Sequence, residues 1–487
     1  MRIKSLSGSL VLLALGTGHA WGAASGDAVR ASGGSTFSAN AADAIQETCL
    51  DLVAQFANDG SETAEQNDLR VNCGNMVRTT LNVLSDGLVA INEYGFDSDS
   101  EVYNSLRQFS GEETSSQGRY ATETTNRQFS AVSARMNAIR QGARGASGVG
   151  FSLQGMDIIA DADAGNGAPL LPLIGGNAGS AGDTGFAWFA NFDYGFGDRD
   201  GSVNEDEYEY DSYQISVGLD YAWDNGWALG GIFGYSDHEV DFEDFSGAVT
   251  PIAGGSMDTD GYTISAFAQY QAEQFYVSGI IGFGALDHDM ERLVRFTSSG
   301  AGASPDRLME ADTESDQLAG QFSVGRIFGT GATTVDVYVG IDVLNIEIDA
   351  FTEDDITAGG GLNLTFDDQD IDSVQSIVGA TLRRTVNLDG GGVFVPYIGA
   401  EWRHEFDNDA RVVDARYAQA IGDLNGNGAS INFAMPTDDP DEDFGEITLG
   451  LSLQMRNALF LFAQWQVAVG LEDAEANLLT IGIRGSF

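Results

Sequence analysis

Lysine is almost absent from the sequence, and cations of any kind are scarce. Lys4 is the only lysine, and 23 Lys and Arg residues face 73 Asp and Glu residues, which gives a formal net charge of −50. Nucleic acids and anionic lipid headgroups carry phosphates, which proteins bind through clustered cations. The composition therefore excludes nucleic acid and anionic headgroups as natural partners.

Long hydrophobic runs are also missing. Hydrophobic residues make up 43% of the 487-residue chain, and no run approaches the roughly 18 to 20 apolar residues of a transmembrane helix. The one short apolar run, Leu6 to Leu15, follows Arg2 and Lys4 and precedes small residues up to Ala24. This order is typical of a cleaved secretory signal peptide, so we expect residues 1–24 to be removed on export.

Cysteine occurs only twice, as Cys49 and Cys73. An even pair in an exported chain favours a disulfide, because the compartment outside the cytoplasm is oxidising. Apolar residues recur at helical spacing around each cysteine, and a polar loop separates the two segments. The sequence therefore predicts an antiparallel helical hairpin stapled by a structural disulfide, within a short helical region over residues 25–110.

Clustered acids such as those in "PTDDPDEDF" allow two interpretations: solvated loops or calcium sites. "DLNGNGAS" places Asp423, Asn425 and Asn427 as at the start of a calcium-binding loop. Ala434, however, stands where such a loop needs its bidentate Glu. We therefore prefer solvated loops and expect no metal and no other cofactor.

From residue 184 onward the hydrophobic period is two. In "FAWFANFDYGF", "YQISVGLDYAW" and "EITLGLSLQM", bulky apolar residues alternate with small or polar ones. The polar face is too small for the core of a soluble sandwich, but it suits the lumen of a membrane barrel whose apolar face meets lipid. Short connections also alternate with long acidic ones, as in outer-membrane barrels. About twelve antiparallel strands are predicted near residues 184–199, 207–223, 226–241, 257–272, 273–288, 314–328, 333–350, 368–386, 393–408, 443–456, 457–471 and 475–487.

Between the helical region and the barrel, residues 111–145 are predicted to form a further helix with many arginines. They include Arg119, Arg127, Arg135 and Arg140. The helix is either a solvated amphipathic helix or one that occupies an acid-lined cavity. Residues 146–183 are rich in Gly and Ala and are predicted to be a linker.

The segment "VPYIGAEWRHEFDNDAR", from Val395 to Arg411, and the terminal "LLTIGIRGSF" together resemble the translocator barrel of classical monomeric autotransporters. The resemblance covers residues 184–487 and extends to the helix before them. It implies an all-β transmembrane barrel of twelve strands in the outer membrane of a Gram-negative bacterium. It further implies export by the type V secretion pathway. It also implies that residues 111–145 thread the pore and that a passenger lies at the cell surface. Here the passenger would be very short and lacks the β-helical repeats of the family.

Several charged residues fall on the lumen face of their predicted strands. By strand parity these are Asp220, Asp336, Glu401, Arg403 and Glu405. If the linker helix threads the pore, its arginines would neutralise such acids, whose crowding is otherwise costly. The alternative is that these groups are simply hydrated by lumen water.

The final residue, Phe487, shares the lipid-facing parity of Ile483 and Ile481. An aromatic carboxyl-terminal residue resembles the signal that the outer-membrane barrel-assembly machinery recognises. The resemblance therefore implies this machinery, periplasmic chaperones and outer-membrane lipid as partners of a monomeric protein.

Catalytic motifs are lacking: no G-x-S-x-G elbow occurs, and no Ser or Cys is paired by motif with His238, His288 or His404. We therefore predict that the protein is not an enzyme. The preferred function is an autotransporter translocator that exposes or anchors its own short helical segment at the cell surface. The alternatives are a structural or adhesive surface protein and a small-solute pore plugged by the helical segment.

Overall fold

A computed structural model describes most of the chain. The described residues are 24–85, 89–116, 150–153, 156–159, 185–242, 254–272, 274–329, 332–389, 392–422, 430–455 and 459–486. The predicted signal peptide up to residue 23, the arginine-rich segment from residue 117, the candidate calcium loop and Phe487 lie outside these ranges.

The N-terminal part is a bundle of helices, here called the helical unit (residues 24–116). Its elements are α1 (Ala24–Ser32), α2 (Thr36–Asp59), α3 (Ala64–Leu84), α4 (Asp99–Ser110) and a 3-10 turn (Glu112–Ser116). Thr63 and Ser98 begin α3 and α4 with capping boxes, in which the hydroxyl and a Gln or Glu side chain satisfy free backbone N–H groups. None of the helices in the described ranges is long and apolar enough to cross a membrane.

The predicted disulfide is confirmed. Cys49 in α2 and Cys73 in α3 are joined across a separation of 24 residues. Both side chains lie in the apolar core of the helical unit with Ile45 and Met76. The bridge therefore staples the helical hairpin that the apolar spacing predicts.

The start of the predicted 111–145 helix differs in the structure. Gly111 has a φ of 72°, in the left-handed region, and it ends α4. Glu112–Ser116 then forms a 3-10 turn. A predicted helix beginning at residue 111 is therefore wrong for its first residues, because the left-handed glycine interrupts the helical hydrogen bonds there.

The barrel is confirmed as a closed antiparallel sheet of twelve long strands within the described ranges. They are β3 (Gly185–Arg199), β4 (Tyr208–Ala222), β5 (Trp227–Phe242), β6 (Ser256–Ala272), β7 (Phe275–Arg295), β8 (Asp306–Phe328), β9 (Thr333–Ile348), β13 (Gln369–Arg384), β15 (Val393–Glu405), β18 (Asp443–Gln454), β19 (Phe460–Val469) and β20 (Ala474–Ser486). The pairing of β20 with β3, in which Ser486 lies opposite Ala187, closes the barrel.

The alternation along each strand separates two faces of the wall. On β4, Ile215 is 50% exposed and Leu219 is 57% exposed, whereas Ser216 and Asp220 are buried on the inner face. Bulky apolar residues therefore point outward to lipid, and small or polar residues point inward, as the period of two predicts.

The connections differ between the two ends of the barrel. Turns such as 223–226 and 329–332 are short, and they lie at the end where β3 begins and β20 finishes. Connections such as 349–368 and 406–442 lie at the opposite end. We call these the short-turn end and the long-loop end.

The long loops are not simply solvated, which corrects the sequence-based expectation. They contain a four-stranded sheet, here called the loop sheet. It consists of β10 (Phe351–Thr352), β12 (Leu364–Phe366), β16 (Val412–Tyr417) and β17 (Phe433–Pro436). Phe366, Tyr417 and Phe433 are buried in one apolar core with the helical unit. Burial of these apolar side chains outweighs the solvation of the neighbouring acids.

Strands β7 and β8 are longer than predicted, and the predicted linker contains further structure. The β7–β8 ladder continues from the barrel to the pair Arg295–Asp306, beyond the predicted ends. The two-residue strand β11 (Asp354–Asp355) adds to β8, and β14 (Val386–Asn387) adds to β15. Within residues 146–183, β1 (Gly150–Leu153) and β2 (Met156–Ile159) pair as an antiparallel hairpin.

Candidate functional site: the lumen and mouth of the barrel

The lumen wall carries an ionic network centred on Arg403 of β15. Its guanidinium lies 3.0 Å from Asp342 of β9, 3.1 Å from Glu401 and 3.1 Å from Glu446 of β18. Cross-strand register brings these side chains together, since Glu401 lies opposite Glu446. One cation is therefore shared by three carboxylates from three strands.

The remaining predicted lumen charges lie at different positions on the wall. Asp336 is paired with Arg383 of β13 at 3.2 Å, and Asp220 is buried on the inner face of β4. Glu405 accepts a hydrogen bond at 3.1 Å from the side chain of Gln375, which in turn accepts one from Arg403 at 3.1 Å. The structure thus joins Glu401, Arg403 and Glu405 in one network and leaves Asp336 and Asp220 elsewhere on the wall.

Sequence reasoning missed three members of this wall: Asp342, Arg383 and Glu446. All three have the lumen-facing parity of their strands, so the same rule that selected Glu401 and Arg403 could have found them. Their pairing, by contrast, depends on the register between distant strands.

The inner surface encloses a cavity of about 470 Å³. Acidic side chains dominate its lining toward the long-loop end, including Asp370, Asp372, Asp407 and Asp409. Such a surface attracts cationic groups and keeps the lumen polar.

The helical unit covers the long-loop end of the barrel. Asp68 of α3 lies 2.6 Å from Arg307 of β8 and accepts a hydrogen bond from the N–H of Gly361 at 3.1 Å. Asn40 of α2 donates to the carbonyl of Ala434 in β17 at 2.8 Å. Contacts to a barrel strand, a long loop and the loop sheet therefore hold one face of the unit.

Aromatic packing reinforces this contact at the β7–β8 connection. The ring of Phe296 lies 4.9 Å from that of Tyr94 and 5.3 Å from that of Phe96, both edge-on. The N–H groups of Ser299 and Gly300 donate to the carbonyl of Tyr94 at 2.9 and 3.2 Å. Apolar burial and backbone hydrogen bonds thus join the two parts.

A set of buried charges connects the end of the helical unit to the barrel mouth. We call it the junction cluster; its members are Arg107, Glu112, Glu113, Asp206, Arg292 and Glu353. Arg107 pairs with Glu112, and lies 3.1 Å from Asp206 in the β3–β4 connection. Arg292 donates to Glu353 from Nε at 2.7 Å and to the carbonyl of Gln108 at 2.7 Å.

Burial alters the protonation of these acids. Loss of hydration raises the pKa of Glu113 to about 8, and the negative charge of Asp206 adds to this shift. Burial also raises the pKa of Glu112 well above its usual value, against the opposing attraction of Arg107, and raises the pKa of Asp206. Three acids of the junction cluster therefore bind protons more tightly than ordinary carboxyl groups do.

The histidines do not form a recognisable catalytic triad in the described residues. Although no sequence motif pairs His288 with a nucleophile, Ser315 Oγ lies 2.8 Å from His288 Nε2 on the inner wall. Nδ1 of His288 lies 2.9 Å from the hydroxyl of Thr259, where a triad would place a carboxylate. His404 lies 3.0 Å from Asp443 and is half-buried at the rim, beside the exposed Glu442.

The family model of the autotransporter β-domain matches residues 188–466, which is more than half of the chain. The chain belongs to the autotransporter β-domain family. Its barrel is therefore an outer-membrane autotransporter translocator, a fold that is monomeric and not itself enzymatic.

Solved structures of autotransporter domains are also similar to part of the chain. The translocator domain of autotransporter NalP from Neisseria meningitidis is 15% identical, with 62% of this chain and 89% of that chain covered and a TM-score of 0.46. The β domain of the Bordetella autotransporter BrkA is 16% identical, with 62% of this chain and 100% of that chain covered and a TM-score of 0.41.

Curated relatives include Esterase EstA from Pseudomonas aeruginosa and from Pseudomonas putida. Each is 22% identical over 273 residues, which cover 55% of this chain and 37% of the relative. The chain thus spans little more than a third of the length of these relatives.

Proposed function

We propose that this translocator carries its own N-terminal segment across the outer membrane and holds the helical unit at the cell surface. The observation that supports this most strongly is that the helical unit docks at one end of the barrel while the first barrel strand begins at the other end. Glu113 and Thr114 lie at the long-loop mouth beside Phe242 and Met257. Gly185, the first residue of β3, lies opposite Ala222 next to a short turn.

The chain between these points must connect the two ends of the barrel. A path along the outside would place backbone polar groups in lipid, where each unsatisfied group costs several kcal/mol. A path through the polar lumen avoids this cost. On this proposal the predicted 111–145 segment leaves the mouth after the turn at Glu112–Ser116 and its remainder threads the pore, where Arg119, Arg127, Arg135 and Arg140 would face the acidic wall.

The proposed orientation of the barrel in the membrane follows from the lengths of its connections. Outer-membrane barrels place short turns in the periplasm and long loops outside the cell. The long-loop end, with the helical unit on it, would therefore face the exterior. Residues 1–24 would act as the signal peptide that brings the chain to the periplasm, and 146–183 would link the pore segment to the barrel.

We also propose how the chain reaches the membrane. Periplasmic chaperones would keep the unfolded barrel segment (184–487) from aggregating, and the barrel-assembly machinery would recognise Phe487. The helical unit (25–110 in the sequence division) would be an anchored structural segment and not an enzyme. Its small apolar core is shared with the loop sheet, and the catalytic constellations considered above lie elsewhere.

Cysteine labelling of intact cells tests the surface location. Asp99→Cys places a thiol on the exposed start of α4, and Asn225→Cys places one in a short turn. A membrane-impermeant maleimide should label the first variant on intact cells and the second only after the outer membrane is permeabilised. The reverse pattern, or labelling of neither variant before permeabilisation, would refute surface exposure of the helical unit.

A further inference from the structure

The docking of the helical unit at the barrel mouth buries one acid, Glu113, that has an unsatisfied carboxylate oxygen. Glu113 is 7% exposed, and in the described part of the chain its Oε2 atom meets no hydrogen-bond donor. It borders a cavity of about 20 Å³, close to the volume of one water molecule, beside Met257, Met290 and Arg292. A buried ionised carboxylate in such a place is costly, whereas a protonated one is tolerated.

The titratable groups around Glu113 come from several elements, whereas β5, β6 and β8 border it with uncharged side chains such as Phe242, Met257 and Met309. Glu112 and Arg107 belong to the helical unit, Asp206 to the β3–β4 connection and Arg292 to β7. Glu353 comes from the loop after β10, and the phenol of Tyr417 comes from β16. The exposed Glu291 of β7 also borders the cavity.

The cations in this group are already engaged. Arg107 pairs with Glu112 and Asp206, and Arg292 pairs with Glu353. Counting only the junction cluster, four carboxylates face two guanidinium groups, so an ionised Glu113 would have to share Arg292 with Glu353. The hydrogen bonds of the cluster then favour the docked state only while Glu113 holds a proton.

We propose that Glu113 is a proton-operated lock between the helical unit and the barrel mouth. With the carboxyl group protonated, the unit stays docked on the loops. When the proton is lost, the carboxylate repels Asp206 and Glu353, and the end of the unit leaves the mouth so that Glu113 can be hydrated. The lock goes beyond translocation, because it regulates a contact that persists in the finished protein.

The direction of the pH dependence follows from linkage. The docked state raises the pKa of Glu113 from an ordinary value to about 8, so the docked state binds the proton more tightly than the open state. Docking is strongest below the ordinary pKa of Glu, and it weakens as the pH rises toward 8. Between these limits the equilibrium for opening shifts about tenfold per pH unit, and above them it is constant.

Hydrogen exchange of the complete protein in detergent micelles tests the lock between pH 5 and 9. After correction for intrinsic exchange, amides of α4 and the 3-10 turn should lose protection as the pH rises, while barrel amides keep theirs. Glu113→Gln retains the shape of the side chain without its charge, so it should keep α4 protected throughout. Asp99→Asn, an exposed site on the same helix, is the matched control and should behave like the unmodified protein.

A second variant keeps the test decisive if Glu113→Gln fails to fold. Asp206→Asn removes one of the negative charges that raise the pKa of Glu113 in the docked state, so the loss of protection should begin at the same pH but be smaller and level off at lower pH. Constant protection of α4 from pH 5 to 9 in the unmodified protein would overturn the proposal. So would an unchanged pH profile in Glu113→Gln, since another group would then operate the transition.

Discussion

At the scale of single residues, Arg292 connects three parts of the molecule. Its buried guanidinium binds Glu353 and donates to the carbonyls of Gln108 at 2.7 Å and Leu362 at 3.3 Å. These partners belong to the loop sheet region, the helical unit and a long loop. Because the guanidinium is desolvated, it stabilises the docked structure only when all of its hydrogen bonds are formed. Removal of one partner leaves a buried charge uncompensated.

Arg292→Gln should therefore weaken the docking of the helical unit by about 3 to 5 kcal/mol. The matched control is Arg416→Gln, because Arg416 forms a half-exposed pair with Asp367, and such surface pairs contribute about 0 to 1 kcal/mol. Urea unfolding followed by the helical circular-dichroism signal measures both changes. Equal, small effects in the two variants would show that the Arg292 contacts do not hold the unit.

The sequence predicts which residues face the lumen better than it predicts their partners. Parity alone places Glu401 and Arg403 on one face, because side chains alternate strictly along a strand. It does not show that Arg403 also meets Asp342, or that Arg292 meets Glu353, 61 positions away. Those contacts depend on strand register and loop folding, which join positions far apart in the chain.

At the scale of elements, the helical hairpin was predictable because both its apolar stripes and its cysteines are local signals. The loop sheet was not. Its strands β10, β12 and β17 have two to four residues each, too few to show a period. They form because Phe366, Tyr417 and Phe433 pack against apolar side chains of the helices. The acidic sequence of the loops does not indicate this packing.

The disulfide should stabilise this part of the molecule selectively. Replacing Cys49 and Cys73 by Ser should lower the stability of the helical unit by roughly 2 to 4 kcal/mol, because the unfolded segment regains the entropy of an open loop. Thermal melting should then show an early loss of helical signal, while the β-sheet signal of the barrel is unchanged. Reduction of the unmodified protein should reproduce the effect. A helical transition at the original temperature in both samples would contradict a stabilising role.

At the scale of the whole molecule, the sequence predicts the barrel almost completely. The period of two, the small polar residues on the lumen face and the alternation of short and long connections all predict the same barrel. Closure by β20 and β3 follows because an open sheet edge in lipid is costly. The docking of the helical unit was not predictable, since its apolar stripes would equally suit an independent hairpin. The core shared with Phe296 and Phe366, together with contacts such as the pair Asp68–Arg307, shows that the helical unit and the barrel mouth pack as one structure.

We propose that the chain passes through the lumen to reach the helical unit. Single-channel conductance in planar bilayers tests this most directly, with the complete protein, a variant lacking 24–110 and a variant lacking 24–149. A lumen of twelve strands that is no longer filled admits water and ions. We expect low conductance for the complete protein, still low conductance without 24–110, and a large increase without 24–149. Equal conductance of the complete protein and the folded 24–149 deletion would contradict it, because the chain would then lie outside the pore.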